Sequence, residues 1–310
     1  MLNGKDLLSI HDLSTDEVAE ILDFAAELKT MQKAGVEHKL LAGKTLGMIF
    51  EKSSTRTRVS FEVGIFQLGG TGLFLSSKDL QLGRGEPIKD TARVLSRYLD
   101  GIMIRTFEHA KVEELAKFAS IPVINGLTDL LHPCQVLTDL LTIREHKGKN
   151  FRALKMAYVG DGNNMTHSLL ITGAILGSTV AAVCPKGDGP DAAIFNMAAE
   201  IAKKSGARLL VTGQVSDVKG YDIAYTDTWV SMGDNTPLDQ VKARFMPYQV
   251  NQKLLDDTGI RHVLHCQPEH RGYAITDEVM DGPASIIYDE AENRLHAQMA
   301  VMATLFNQGK

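Results

Sequence analysis

The sequence predicts an α/β protein of two lobes, each with a mainly parallel sheet flanked by helices, joined by a helix with a cleft between them. Three observations carry that expectation. Short apolar runs alternate with helical patterns; the alternation breaks near residue 150 and then restarts; and 310 residues exceed the usual span of one hydrophobic core, so two domains of about 150 residues each are the default.

Taken in order, Ser14-Thr15-Asp16-Glu17 is a capping box, and Val18, Ile21, Leu22, Ala25 and Leu28 follow at helical spacing until Gly35. Apolar runs then fall at 46–50, 72–75, 101–104 and 121–124, with helical patterns around 55–68, 88–99 and 110–118. A longer helical segment at 134–146 leads to Lys147-Gly148-Lys149, after which runs recur at 155–159, 179–183, 208–211, 222–225 and 260–265. A last run at 285–288 precedes a helix over 290–307. The expected boundaries are 1–134 for the first domain, 135–150 for a connecting helix, 151–288 for the second domain, and 289–310 for a terminal helix returning to the first. No low-complexity tract or short-period repeat interrupts this order.

Composition narrows the function classes. A hydrophobic content of 44% and a charged content of 23% describe an ordinary globular protein. A net charge of -5 argues against a nucleic-acid surface, which gathers Lys and Arg into a strongly basic face. Cys134, Cys184 and Cys266 are widely spaced and odd in number, fitting reduced thiols in the cytoplasm better than a disulfide framework. The start Met1-Leu2-Asn3-Gly4-Lys5-Asp6 has no long apolar core of a signal peptide, and no membrane association is expected.

The densest chemistry lies in Ser53-Ser54-Thr55-Arg56-Thr57-Arg58, between the apolar run 46–50 and a helical pattern carrying Val59, Phe61, Val63 and Phe66. A helix start offers backbone N–H donors and a positive dipole end, to which this stretch adds hydroxyls and guanidinium groups; the combination suits a phosphate. Arg56 is the better candidate for direct contact, because a planar guanidinium meets two phosphate oxygens at once. Ligands of open α/β sheets bind at the carboxyl ends of strands. Arg105-Thr106, Gly160-Asp161-Gly162-Asn163-Asn164-Met165 and His265-Cys266-Gln267-Pro268 all fall at predicted strand ends, while His132-Pro133-Cys134-Gln135 and the stretch from Asp227 to Gly233 lie in loops or at helix starts.

Other readings of these segments are weaker. The third glycine of a dinucleotide fingerprint would stand at Met165, which disfavours a dehydrogenase. His262, His265, Cys266 and His270 suggest zinc, yet His262 and His265 would face opposite sides of a strand, so no metal is expected. His132 alone reads as a packed or solvated histidine; beside Gln135 it can aim a donor at a carbonyl oxygen. Asp227 and Ser231 alone read as a loop pair, and Cys266 as an inert thiol.

Together, Ser54-Thr55-Arg56-Thr57-Arg58, His132-Pro133-x-Gln135, Asp227-x-x-x-Ser231-Met232-Gly233 and His265-Cys266-x-Pro268 resemble the ordered motifs of the carbamoyltransferases, in the ornithine-specific branch. The first two motifs are shared with the aspartate branch, and the last two separate the branches. The likeness extends to Asp79–Gly83, Asp90–Leu95 and Asp289–His296. One departure is Gln267, where the family usually has leucine.

The resemblance implies transfer of a carbamoyl group from carbamoyl phosphate to the δ-amino group of ornithine in arginine metabolism, giving citrulline and phosphate without metal or cofactor. It implies that Ser54, Thr55, Arg56, Thr57 and Arg105 hold the phosphate; that Arg105, His132 and Thr57 polarise the carbamoyl oxygen; and that Gln135, the Cys266 and Gln267 carbonyls and Arg294 orient the carbamoyl group. Asn164 and the Met232 backbone would take ornithine's carboxylate, and Asp227 and Ser231 its α-ammonium, with Asp227 and Cys266 near the δ-amine. Arg105, His132, Cys266 and Asp227 are the catalytic candidates. Lobe closure would exclude water. The family resemblance further implies a trimer, or an assembly of trimers, in which Gln81 reaches a neighbouring subunit's phosphate site. Another acceptor such as putrescine, or a non-catalytic ligand-binding paralogue, are the alternatives.

Overall fold

The structure is a computed structural model that describes residues 5–83, 85–230 and 236–306. The chain divides into two compact units, residues 1–141 with 291–310, and residues 142–290.

The first unit opens with α1 (Thr15–Lys33), whose capping box forms as its sequence dictates: Glu17 N donates to Ser14 Oγ and Ser14 N donates to the Glu17 carboxylate. It continues through β1 (Thr45–Phe50), α2 (Thr55–Gln67), β2 (Thr71–Ser76), α3 (Ile88–Leu95), β3 (Gly101–Arg105), α4 (His109–Phe118), β4 (Val123–Leu127) and the first part of α5 (Pro133–Lys147). The four strands are parallel, in the order β2-β1-β3-β4. Every residue of β3 is buried, the continuous apolar pattern of a parallel strand covered on both faces.

The second unit takes the rest of α5, then β5 (Lys155–Val159), α6 (Asn164–Leu176), β6 (Thr179–Val183), α7 (Ala192–Ser205), β7 (Arg208–Thr212), β8 (Ile223–Thr226), α8 (Leu238–Phe245), α9 (Gln252–Thr258), β9 (His262–His265) and α10 (Asp277–Met280). Its five strands are also parallel, in the order β7-β6-β5-β8-β9. The final helix, α11 (Ile287–Phe306), starts in this unit and ends in the first. The partition passes within α5 at 141/142 and within α11 at 290/291, against sequence-based boundaries at 134/135, 150/151 and 288/289.

Two expected elements differ. The run at 285–288 is not a strand: Ser285 makes one isolated bridge to Val263, and Ile287 and Tyr288 already belong to α11, whose first turn carries Asp289 and Glu290, favourable at a helix N-terminus. The helix expected over 88–99 ends at Leu95, and residues 97 and 98 close tight turns onto Val94 and Leu95 before Asp100 joins the sheet through Thr45.

The strand orders fix where chemistry can occur. In the first sheet the chain runs from β1 outward to β2 and then returns to the other side of β1 at β3, so the topological switch lies between β1 and β3. Those strands end in register, Phe50 opposite Arg105. In the second sheet the switch lies between β5 and β8, with Asp227 directly after β8 and Cys266 directly after the neighbouring β9.

Gly101 shows how closely α11 is seated on the first sheet. A Cβ there would lie 2.2 Å from the Phe306 ring. Gly101→Ala is therefore expected to destabilise the first unit by about 1–3 kcal/mol through overpacking, and Phe306→Leu in the same chain should recover most of that loss. Equilibrium denaturation of the single and double variants checks the pairing; additive losses would contradict it.

Candidate active site

At the switch of the first sheet, Ser54 caps α2: its backbone is extended, and its Oγ accepts from Thr57 N at 3.1 Å. No acidic side chain occupies the first turn, so the positive end of the helix is not neutralised from within. Thr55 is exposed and Arg56 half-buried at this turn. Arg58 is used otherwise, pairing with Glu62 at 3.4 Å and lying 3.9 Å over the Phe74 ring.

Beneath the turn, Thr57 is completely buried and its Oγ1 accepts from two guanidinium groups, Arg105 Nη1 at 3.3 Å and Arg294 Nη2 at 2.7 Å. Both arginines are only 4% exposed. A hydroxyl has two acceptor lone pairs, so this use of Thr57 leaves its O–H to donate elsewhere. Arg294 Nη1 also donates to Gln135 Oε1 at 2.5 Å, and Gln135 Nε2 donates to Asp139 Oδ1 at 2.8 Å. His132 is buried, with Nε2 3.5 Å from Arg294 Nη2. Burial, then the positive charges of Arg294 and Arg105, hold its pKa well below the usual histidine value, so the ring is neutral near pH 7. The structure thus joins Ser54, Thr57, Arg105, His132, Gln135 and Arg294 in one unit. Gln81 is exposed in a single turn, Gln81–Gly83, with its carbonyl accepting from Glu86 N at 3.3 Å, and among the described residues no hydrogen bond joins it to this group.

The second unit gathers groups of opposite charge. Asp227 is 7% exposed; its Oδ1 accepts from Thr228 N at 2.7 Å and from the Cys266 thiol at 3.1 Å, and its Oδ2 accepts from Asn163 Nδ2 at 3.0 Å. Asn164 begins α6 beside this set, half-buried. Gln267 is held at φ +54°, a left-handed conformation costly for a residue with a side chain, and Gln267-Pro268 is cis. His265 supports that turn: its Nδ1 accepts from Gln267 N at 2.8 Å, leaving Nε2–H to donate to Glu269 at 2.5 Å. Glu290 anchors the same strand end, accepting from His265 N and from the Tyr225 hydroxyl. Ser231, Met232 and Gly233 lie outside the described residues.

Asp227, His265 and Cys266 bring one potential ligand atom each within 4.8 Å of one another. Their hydrogen bonds form a consistent organic network, with the thiol donating to the carboxylate and both imidazole nitrogens engaged. Asp161, one loop away, has its carboxyl pushed up to about 6, first by burial and then by the charges of Asp188 and Asp227. The loop is closely apposed to its neighbour: Gly162 N donates to Asp188 O, and a Cβ at Gly162 would lie 2.1 Å from the Gly189 carbonyl carbon.

Residues 5–145 match the family described as "Aspartate/ornithine carbamoyltransferase, carbamoyl-P binding domain", and residues 152–305 match its "Asp/Orn binding domain". The chain belongs to the aspartate/ornithine carbamoyltransferase family. It is 52% identical over 304 residues to the ornithine carbamoyltransferase of Thermococcus kodakarensis, covering 97% of this chain and 96% of that one. It is 54% identical over 306 residues to that of Oceanobacillus iheyensis, covering 98% and 95%. Among solved structures, the ornithine carbamoyltransferase of Pyrococcus furiosus matches with a TM-score of 0.95 at 48% identity, covering 100% of this chain and 99% of that one. The anabolic enzyme of Campylobacter jejuni matches at 0.91 and 42%, covering 98% and 99%.

Sequence reasoning singled out the polar loops but passed over side chains that hold them. Asp139, Asn163, Glu269 and Glu290 carry hydrogen bonds to Gln135, Asp227, His265 and the His265 backbone. Asp139 stands one helical turn after Gln135, a spacing that could have identified it.

A carboxyl whose pKa rises on folding weakens the folded state once it ionises. Asp161 has its ordinary value near 3.8 in the unfolded chain and about 6 in the folded one, so stability from this group is full below pH 4 and falls as pH rises through 6. Asp161→Asn removes the ionisation. The variant should gain stability relative to the parent between pH 4 and pH 7, by on the order of 1 kcal/mol; urea unfolding at the two pH values checks this, and an offset that does not change with pH would contradict it.

Proposed function

We propose that this chain transfers the carbamoyl group of carbamoyl phosphate to the δ-amino group of L-ornithine, giving L-citrulline and phosphate. The observation that carries this reading is the convergence of two buried guanidinium groups on Thr57 at the foot of an uncapped-by-acid helix start, paired with a buried, donor-held carboxylate in the other unit. One unit suits an anionic donor substrate, the other a cationic acceptor.

The phosphate lies at the first turn of α2, held by Ser54, Thr55, Arg56, Thr57 and Arg105. As the amine attacks the carbonyl carbon, the C–O bond to phosphate breaks, its electron pair leaves with the phosphate, and the nitrogen sheds a proton. Arg105, Thr57 and neutral His132 face the carbonyl oxygen as its charge grows; each preorganised donor of this kind is typically worth about 3–4 kcal/mol. Gln135 and Arg294 set the carbamoyl plane. The neutral state of His132 matters, because it adds a donor without adding a third positive charge beside the arginines.

Asp227 takes the α-ammonium of ornithine with Ser231, while Asn164 and the Met232 backbone take its carboxylate; Cys266, donating to the same Asp227 carboxylate, flanks the amine. A requirement for both α groups disfavours putrescine. Intact donors at the matched positions disfavour a non-catalytic paralogue. None of the three cysteines is in a disulfide, which fits the reducing cytoplasm, and the reaction fits arginine biosynthesis; the Campylobacter relative is described as anabolic. No helix among the described residues is long and apolar enough to cross a membrane.

The homotrimer follows from the family resemblance, and self-association as such is supported by an exposed apolar surface: Val59, Val63 and Phe66 recur at helical spacing on α2, beside exposed Leu73 and Phe74 on the edge strand β2. Gln81 follows that strand and is assigned to a neighbouring copy's phosphate site.

A citrulline assay with ornithine, putrescine and aspartate tests the reading; only ornithine should be carbamoylated efficiently. His132→Asn should lower turnover by about a hundredfold or more, the scale for one lost donor. Asp227→Asn should raise the ornithine KM strongly and leave carbamoyl phosphate affinity, read by calorimetry, unchanged. Weakened carbamoyl phosphate binding in that variant would show that Asp227 has been given the wrong substrate.

A further inference from the structure

We propose that Asn163 is a positioning residue for the acceptor substrate: it sets the orientation of the Asp227 carboxylate through a hydrogen bond whose direction is enforced by helix capping. The inference rests on the assignment of Asp227 to the ornithine ammonium and extends it to a residue that does not itself touch substrate.

The direction of the amide follows from its partners. Asn163 is the N-cap of α6, and its Oδ1 accepts from Met165 N at 2.9 Å and Thr166 N at 3.3 Å. Backbone N–H groups only donate, so the oxygen must face the helix and the NH2 must face away. The Tyr158 hydroxyl, 3.3 Å from the same oxygen, donates to it from β5 and strengthens that choice. Nδ2 is thereby aimed at Asp227 Oδ2, 3.0 Å away. A flipped amide would lose both cap bonds and set oxygen against a carboxylate.

The bond matters because of what else surrounds Asp227. Its other oxygen is held by Thr228 N and the Cys266 thiol. The loop of Asn163 also carries Asp161, with Asp188 after β6 behind it and Arg244 of α8 paired to Asp188 at 3.1 Å. Asp161 and Asp227 are like charges, and without the Asn163 donor the Oδ2 atom of Asp227 would lose this hydrogen bond while that repulsion remained. Asn163 ties two strand ends at the topological switch, β5 through its loop and β8 through Asp227.

The test separates capping from positioning. Asn163→Ser and Asn163→Thr both keep a side-chain oxygen able to cap α6 but are too short to carry the amide donor to Asp227. Both variants should raise the ornithine KM at least about tenfold, the scale for a lost hydrogen bond to a charged group, with kcat and carbamoyl phosphate affinity nearly unchanged. Melting temperature should stay near that of the parent. Because both residues act through one carboxylate, Asn163→Ser placed on Asp227→Asn should raise the ornithine KM no further. An unchanged ornithine KM in both capping variants, alongside a raised KM in Asp227→Asn, would overturn the role of Asn163 and leave that of Asp227 intact; so would full additivity in the double variant. An unchanged KM in Asp227→Asn would instead overturn the underlying assignment.

Discussion

Two guanidinium groups donate to one buried hydroxyl in the first unit, and much of that unit is arranged around the contact. Arg105 ends β3, Arg294 comes from α11 near the far end of the chain, and Thr57 lies in the first turn of α2, so the three are brought together only when the sheet, the crossover helix and the terminal helix are all in place. Burying like charges together is unfavourable in a medium that screens poorly. A dianion placed beside the pair would lower that energy, so the contact suits an anionic ligand. Burial first, and then the same positive charges, keep His132 neutral although an ordinary histidine could ionise near neutrality.

The second unit applies the reverse charge with the same construction. Asp227 follows β8 at the switch of strand order and is fixed by donors from the α6 cap, its own loop and the strand end at Cys266. Asp161 and Asp188 add negative potential, at a cost visible in the raised pKa of Asp161. Each half of the chain is therefore polarised to suit one reactant before that reactant arrives, and binding energy is directed to orientation rather than to rearranging dipoles.

Much of this was legible in the sequence. The capping box at Ser14, the alternation of apolar runs and helical patterns, and the handover from strand to helix at Ser53–Arg58 are local signals, and each appears in the structure as an element or its boundary. The run at 285–288 misled because three apolar residues suit a strand and a buried helix start equally; only the following Asp289 and Glu290 favour the helix. The network behind the site was not legible. Asn163 reads as half of a loop dipeptide and Glu290 as a helix-start acid, and their partners lie 64 and 25 residues away along the chain. Such pairings depend on strand order, which periodicity alone does not reveal.

The central claim is that the buried arginine pair and the start of α2 form the donor-substrate site. A crystal structure of the protein with carbamoyl phosphate tests it most directly. The account predicts the phosphate at the backbone N–H groups of the first turn of α2, in contact with Arg56, and the carbamoyl oxygen facing Arg105 and His132. Phosphate bound instead at the start of α6, or carbamoyl oxygen directed away from those two side chains, would contradict it.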